Sequence, residues 1–430
     1  MRRIPRPLPR GRRRGKNHHF CRKRLSRSNW PDQKLDPFTN KLARPMGRGS
    51  HDRCFSLQSQ RQDRLYGPHA NREQAAMICE TLTPFLERPF DTTLQSNKEV
   101  ALLPILKTLT HHHMQSCAAY AKIIALSFPD YEEATNLAEL PYLPVSLFKH
   151  RRLNSVPESI HTLTVQSSGT SAKGQSQITL DKETAQATAQ SLAAIIKDRI
   201  SPSRLPMLII DAPSTLKSGG ALSARSAAIL GLMPFGHAHC FALRDDLTLD
   251  EEKVSTFLSR YGAGNFLIYG FTFLVWDKLL PYCENNTYDF SHATLIHSGG
   301  WKHLSERAVD HEAFALAFEQ TFKLKQIVNF YGMAEMPGVI YPDHGDGLLI
   351  PPAFSCVIIR DPQTLAPLPE GEIGLVQTFN PLATSFPGHT LLTEDLGSWH
   401  KTPHGLALRI HGRVPRAVLR GCSDVIASMR

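Results

Sequence analysis

Four short apolar runs constrain this chain more than any other feature: LPMLIID (205–211), NFLIYGF (265–271), ATLIHSGG (293–300) and QIVNFYG (326–332). They have strand length, and the intervals between them are long enough for a helix. That alternation argues for a parallel or mixed sheet with helices packed on it. The flanking segments extend the pattern. Segment 94–126 reads as helical, with Leu102, Leu106, Leu109 and His113 at helical spacing, and PYLPVSLFKH (141–150) is a Pro-punctuated connector. HTLTVQ (161–166) and SQITLD (176–181) read as strands on either side of the Gly/Ser loop SSGTSAKGQ. Asp181 is a good N-cap for a helix over 182–199, whose Ala185, Ala189, Leu192 and Ile196 form one stripe. A Gly/Ser/Ala segment follows LPMLIID, and a long helix is expected from near Leu249. After residue 345 the chain turns β-rich (LLIPPAFSCVIIRD, GEIGLVQTF), which predicts a smaller strand-dominated subdomain.

The charge is unevenly placed. Residues 1–75 hold 20 of the 49 Lys and Arg against 5 acidic residues, so the net +10 belongs to this leader and the body is mildly acidic. No nucleic-acid partner is expected for the body. The leader has a positive start but no apolar h-region, so it does not read as a signal peptide. Its Pro and Arg density predicts disorder. It could serve as a nucleic-acid or anionic-membrane tail, or be translated sequence upstream of a start at Met46 or Met77. No apolar run approaches the ~18 residues that span a bilayer. The eight cysteines contain no CxxC pair, which argues against a disulfide framework or structural zinc and for a reduced, cytoplasmic compartment. His111–His113 and the His237/His239/Cys240 group look like metal sites, but consecutive helical residues diverge by ~100° and cannot share a face.

The Gly/Ser loop is the first feature with chemistry in it. Gly169 and Gly174 have the spacing of a Walker loop, but Lys173 precedes the second Gly and the loop leads into a strand, so a P-loop NTPase is disfavoured. Backbone N–H groups and the hydroxyls of Ser167, Ser168, Thr170 and Ser171 could still wrap phosphates. Downstream come HSGGWK (297–302), NFYGMAE (329–335), LLTEDLG (391–397) and HGR (411–413). In this order the motifs resemble the adenylate-forming superfamily of acyl-CoA synthetases and related ligases. PYLPVSLFK, RLPMLIIDAPS, YGFTFLVW, SFPGHTLLTEDLG and GRVPRAVLRGCSD look like one branch of it, the LuxE-type acyl-protein synthetases of the bacterial fatty acid reductase system. The resemblance runs from about residue 100 to 425.

The resemblance implies an α/β fold: the large domain of adenylate-forming ligases, with mixed sheets packed with helices and a small β-rich subdomain. It implies ATP and magnesium. Ser167, Ser168, Gly169, Thr170, Ser171, Lys173 and Gly174 would hold phosphates, and Gly299 and Gly300 would bind the nucleotide at a strand end. Tyr331 and Gly332 would receive the adenine, Asp395 the ribose hydroxyls, Glu335 the magnesium, and Arg413 would sit at the hinge. The family's Thr in Tyr-Gly-x-Thr-Glu is Ala334 here, which removes one hydroxyl. Read from the residues themselves, Phe271, Phe273 and Trp276 of YGFTFLVW make an apolar wall suited to an alkyl chain, with His297 and Ser298 at a strand end where its carboxylate could be oriented; the same aromatics would serve equally as core. No GxSxG elbow points to a serine thioesterase.

Superfamily ligases continue past the hinge into a mobile C-terminal domain with a catalytic lysine. Here Lys401 is the last lysine and the sequence runs 17 residues beyond Arg413, so that domain is expected to be lacking. Cys422 lies in that tail near Arg413, Arg416 and Arg420, whose charges favour thiolate. An extended arm from Arg413 would reach up to roughly 30 Å. The matching cysteine of the LuxE branch is the acylated residue. The expected organisation is a leader (1–76), a synthetase domain (77–412) and an acceptor tail (413–430). The expected activity is ATP-dependent activation of a fatty acid, capture on Cys422, and delivery to an acyl-CoA-reductase-type partner. The rivals are a coenzyme A ligase and a non-catalytic acyl- or nucleotide-binding subunit.

Overall fold

The computed structural model describes residues 78, 80–167, 175–217, 222–281, 288–301, 304, 306 and 308–414. The leader, the loop residues Ser168–Gly174 and the tail with Cys422 lie outside the described residues.

Strands and helices are numbered along the chain. α1 (Thr92–Ser116) starts at Asp91, whose carboxylate accepts from the N–H groups of Thr93 and Leu94. α2 (Ala118–Ser127) follows after extended Cys117, so the segment read as one helix is two. Neither Gly nor Pro marks the break. The packing does: His113 and Tyr120, on either side of it, both pack their rings against His389. β1 (Leu143–Pro144) lies within the connector, β2 (Leu163–Gln166) and β3 (Gln177–Leu180) form the antiparallel hairpin around the Gly/Ser loop, and α3 (Lys182–Arg199) follows at its Asp181 cap.

β4 (Leu205–Ile210) opens the main sheet. The Gly/Ser/Ala segment then holds elements the sequence reading left out: β5 (Leu222–Ser223), α4 (Ala224–Leu232) and β6 (Gly236–Phe241). α5 (Glu251–Tyr261) starts at its Asp250 cap, close to the expected Leu249. β7 (Phe266–Phe271), β8 (Ala293–Ser298), α6 (His311–Phe322), β9 (Gln326–Tyr331) and the short β10 (Tyr341–Pro342) complete this part. The strand order is β10-β9-β8-β7-β4-β6, parallel except for β10.

Alternation along these strands builds two apolar layers. Met207, Ile209, Leu267, Tyr269 and Ile296 meet Ile195, Ile196, Ile229 and Leu232 of α3 and α4. Leu208, Ile210, Phe266, Ile268 and Leu295 meet Val254 and Phe257 of α5 and Phe314, Phe318 and Phe322 of α6. Strands buried on both faces explain why these runs are apolar throughout.

The predicted β-rich part is β11 (Val357–Arg360), β12 (Gly374–Phe379), β13 (Thr390–Thr402) and β14 (Gly405–Arg413). These pair as antiparallel neighbours, and β1 joins β13 in parallel, so the connector supplies a strand to the later sheet. A third sheet has the order β3-β2-β5, which brings Ser223 opposite Gln166 at the foot of the Gly/Ser loop. Among the described residues no helix is long and apolar enough to cross a membrane.

Candidate active site

In open parallel sheets, ligands bind outside the carboxyl ends of the strands. Here those ends carry Asp211 after β4, Ser298–Gly300 after β8 and Tyr331–Gly332 after β9. Gly299 is required by the fold: its φ is +80°, and a Cβ there would stand 2.9 Å from the Phe271 ring. At Gly300 a Cβ would meet nothing within 4 Å among the described residues.

Tyr331 ends β9 with its hydroxyl donating to Asp395 Oδ2 at 2.8 Å. The other oxygen of that carboxylate accepts from Arg413 Nε at 3.1 Å. The β13–β14 register places Asp395 opposite Arg413, so one hairpin carries the acid and its cation. Burial and the neighbouring Asp395 charge push the Tyr331 phenol well above its ordinary value, so it stays protonated and able to donate.

Glu335 lies four residues past Tyr331 in a turn and is 5% exposed. Burial raises its carboxyl above the ordinary range, against the pull of the Ser176 hydroxyl and of the Lys149 and Arg413 charges. A carboxylate with the Ser176 hydroxyl beside it offers hard oxygen atoms of the kind a magnesium ion takes, and Glu335 would be the protein carboxylate to hold it, the remaining ligands coming from phosphate oxygens and water. Ser176 belongs to the foot of the Gly/Ser loop. There Ser167 N–H donates to the Ser176 carbonyl at 3.0 Å, and Ser176 N–H donates back to Ser167 Oγ at 3.0 Å. The clasp brings the loop out of the sheet beside Glu335.

Sequence reasoning missed several polar residues here. Lys149 pairs with Glu394 at 2.9 Å. Thr393 Oγ1 accepts from Asp395 N–H at 3.2 Å and steadies that backbone. Asp211 is buried, accepts from Thr215 Oγ1 at 2.6 Å and pairs with Arg225 at 3.0 Å, at the end of β4. Glu394 and Thr393 stood inside the LLTEDLG motif, and Asp211 inside RLPMLIIDAPS. Lys149 stood at the end of PYLPVSLFK, where only the chain's return along β13 gives it a role.

The residues of the expected acyl wall lie in the layer between the main sheet and α5/α6. Phe271 and Phe273 are 9% and 7% exposed within the α5/α6 layer. Trp276 stacks on Phe314 at 5.6 Å and packs edge-on against Trp301 at 5.3 Å. Phe271 and Phe273 also pack on each other, with ring centroids 6.4 Å apart, while Trp276 is half-buried. His297 also lies in this layer, its ring 4.4 Å from Phe314 and its Nδ1 3.0 Å from Thr272 Oγ1. Burial lowers its pKa to about 3, which keeps the imidazole neutral.

The two histidine groups have other partners. His112 donates to the Thr384 carbonyl and His113 to that of Ala383, while His111 meets Tyr131. His239 donates to the Met233 carbonyl and Cys240 to that of Lys253. Among the described residues no cluster of three or more His, Cys, Asp or Glu could hold a metal.

Residues 74–429 match the family described as "Acyl-protein synthetase, LuxE". The chain belongs to the LuxE acyl-protein synthetase family. Two relatives, from Aliivibrio fischeri and Vibrio harveyi, each carry the name long-chain-fatty-acid–luciferin-component ligase. The first is 24% identical over 202 residues, covering 43% of this chain and 53% of that protein. The second is 30% identical over 137 residues, covering 30% of this chain and 35% of that protein. The chain thus matches about half the length of the first and a third of the second. A 2-hydroxyisobutyryl-CoA ligase solved with 2-HIB-AMP and CoA in an open conformation has a TM-score of 0.56 at 16% identity, over 74% of this chain and 70% of that one. The same ligase in its postadenylation state has a TM-score of 0.56 at 14% identity, with the same coverage. The fold of this LuxE-family chain is that of the adenylate-forming ligases.

Proposed function

We propose that this protein activates a fatty acid with ATP and carries the acyl group on Cys422 as a thioester. The observation that carries the reading is the chain Tyr331–Asp395–Arg413, set at the carboxyl ends of the parallel strands next to buried Glu335 and the foot of the Gly/Ser loop. Asp395 offers a fixed acceptor for ribose hydroxyls and Tyr331 an aromatic face for the base. Glu335 would hold a magnesium ion, which when bound neutralises phosphate charge. The loop would wrap the phosphates with its N–H groups.

A carboxylate oxygen of the acid attacks the α-phosphorus, the bond to the bridging oxygen breaks, and pyrophosphate leaves with that oxygen and its electron pair. The Cys422 thiolate then attacks the acyl carbon, forming the C–S bond and releasing AMP. A reductase of acyl thioesters is the fitting recipient, and the names of the two relatives support a fatty acid as substrate.

The test is acid-dependent pyrophosphate exchange across a panel of labelled carboxylic acids, followed by intact mass. Wild type should exchange with a fatty acid and gain one acyl group labile to hydroxylamine. Cys422→Ser should keep exchange and lose the labile label, because a serine hydroxyl is barely ionised at neutral pH. Absence of exchange with every acid would overturn the activation step. A persisting label in the variant would move the acceptor elsewhere.

A further inference from the structure

We infer that Lys149 binds the outer phosphates of the nucleotide, supplying from the body of the protein a cation for the activation step. The inference deepens the function proposed above and rests on it.

The turn Val145–Lys149 continues directly from β1, which runs parallel to β13 at Leu391 and Leu392. The turn therefore travels beside β13 toward Glu394, and it also packs against β3, the strand that leaves the Gly/Ser loop. Lys149 ends this turn at the seam between two sheets: one carries Asp395 and the other carries the loop. Its ammonium pairs with Glu394 at 2.9 Å, and its side chain remains a quarter exposed. Glu394 directly precedes Asp395, so the same strand fixes the ribose acceptor and anchors the ammonium.

The positions set an order along a bound nucleotide. Tyr331 and Asp395 mark the base and ribose end. Glu335, with Ser176 at the loop foot, marks the phosphate end, and the turn that ends in Lys149 packs against β3, which begins directly after Ser176. An ammonium is a compact point charge with three donors, suited to phosphate oxygens. Glu394 holds it without cancelling its approach to a second anion, because three donors exceed what one carboxylate oxygen can accept. Arg413 is anchored instead at the ribose end, where its Nε donates to Asp395 Oδ1 at 3.1 Å. Among the described residues, Lys149 is thus a cation placed for phosphates that carry the charge of the leaving pyrophosphate.

The test compares ATP with AMP, since only ATP has outer phosphates. Binding of each nucleotide to the full chain is titrated by calorimetry, beside acid-dependent exchange, for wild type, Lys149→Met, Lys149→Arg and Glu394→Gln. Lys149→Met keeps the apolar stem and removes the charge. It should weaken ATP about tenfold or more, as loss of a charge-assisted contact does, with AMP affinity unchanged and the melting temperature retained. Lys149→Arg should recover part of the ATP affinity. Glu394→Gln should lose less than Lys149→Met, since the ammonium remains. Equal affinities of Lys149→Met and wild type for ATP, with exchange intact in both, would overturn the inference and leave the activation reading standing. Equal losses for ATP and AMP in Lys149→Met and Glu394→Gln, with lowered melting temperatures, would make the pair structural and also overturn it. A wild-type protein that binds neither nucleotide would overturn both readings.

Discussion

Glu335 is held in a place that penalises its charge. Its carboxyl is raised by burial, so the folded state takes up a proton more readily than the unfolded chain. Stability from this group is therefore present below the ordinary carboxylate range and lost as pH rises through the raised value. Glu335→Gln removes that loss. The variant should melt at or above wild type at neutral pH while magnesium-ATP-dependent exchange falls by about tenfold to a hundredfold, as expected when a charged contact to a reacting group is lost. A thermal melt and an exchange assay on the same sample check both halves. Tyr331 invites the opposite substitution. Tyr331→Phe keeps the aromatic face and deletes the 2.8 Å bond to Asp395, while the bond from Arg413 to that carboxylate stays. The loss of one charge-assisted bond predicts a KM for ATP raised by about tenfold with the KM for acid unchanged. Steady-state kinetics in both substrates separates the two effects.

At the scale of elements, the hairpin β2–β3 and helix α3 are tied to the loop before β13. Asp181 caps α3 by accepting from Thr184 N–H at 2.9 Å, and the same oxygen accepts from Ser385 Oγ at 3.0 Å. Asp181→Ala should cost about 1 kcal/mol, as loss of an N-cap does, since the Ser385 hydroxyl keeps Thr184 Oγ1 as an acceptor. Urea unfolding at constant m-value would show it. A second tie is the histidine group between α1 and residues 383–389. His113 stacks on His389 at 4.9 Å, both are fully buried, and burial depresses both, His389 to about 3. A depressed folded pKa means that the unfolded chain binds protons first. This contribution is present above the ordinary imidazole range and is lost as pH falls toward the folded value. Stability should therefore decline between pH 6.5 and 4.5, and His389→Gln should flatten that decline in melts taken across the interval.

At the scale of the molecule, charge is unevenly placed along the chain. The family match begins at residue 74, and Ile78, Leu82 and Phe85 are already core residues of the first layer. The Lys- and Arg-rich residues before them carry the net positive charge. A protein beginning at Met77 is expected to melt and to exchange pyrophosphate as the full chain does. A lower melting temperature or lost exchange in the shortened protein would move the boundary upstream.

Local chemistry was legible in the sequence because it is local. Apolar runs of strand length, the Asp181 cap and the hairpin around SSGTSAKGQ each depend on neighbours a few residues away. The motifs also marked Tyr331, Glu335, Asp395 and Arg413 as a set. What their neighbours would be was not legible, since Tyr331 and Asp395 lie 64 positions apart and Lys149 and Glu394 lie 245 apart. The aromatics of YGFTFLVW show the same divide. A run of apolar rings specifies burial, but whether the burial is against a ligand or against α6 depends on the layer packed over it. β6 escaped notice for a related reason: GHAHCF is not an apolar run, and it becomes a strand because β4 offers it an edge. Only tertiary structure decided these, because sheet pairing and burial are properties of partners distant in the chain, whereas periodicity and caps are properties of the chain itself.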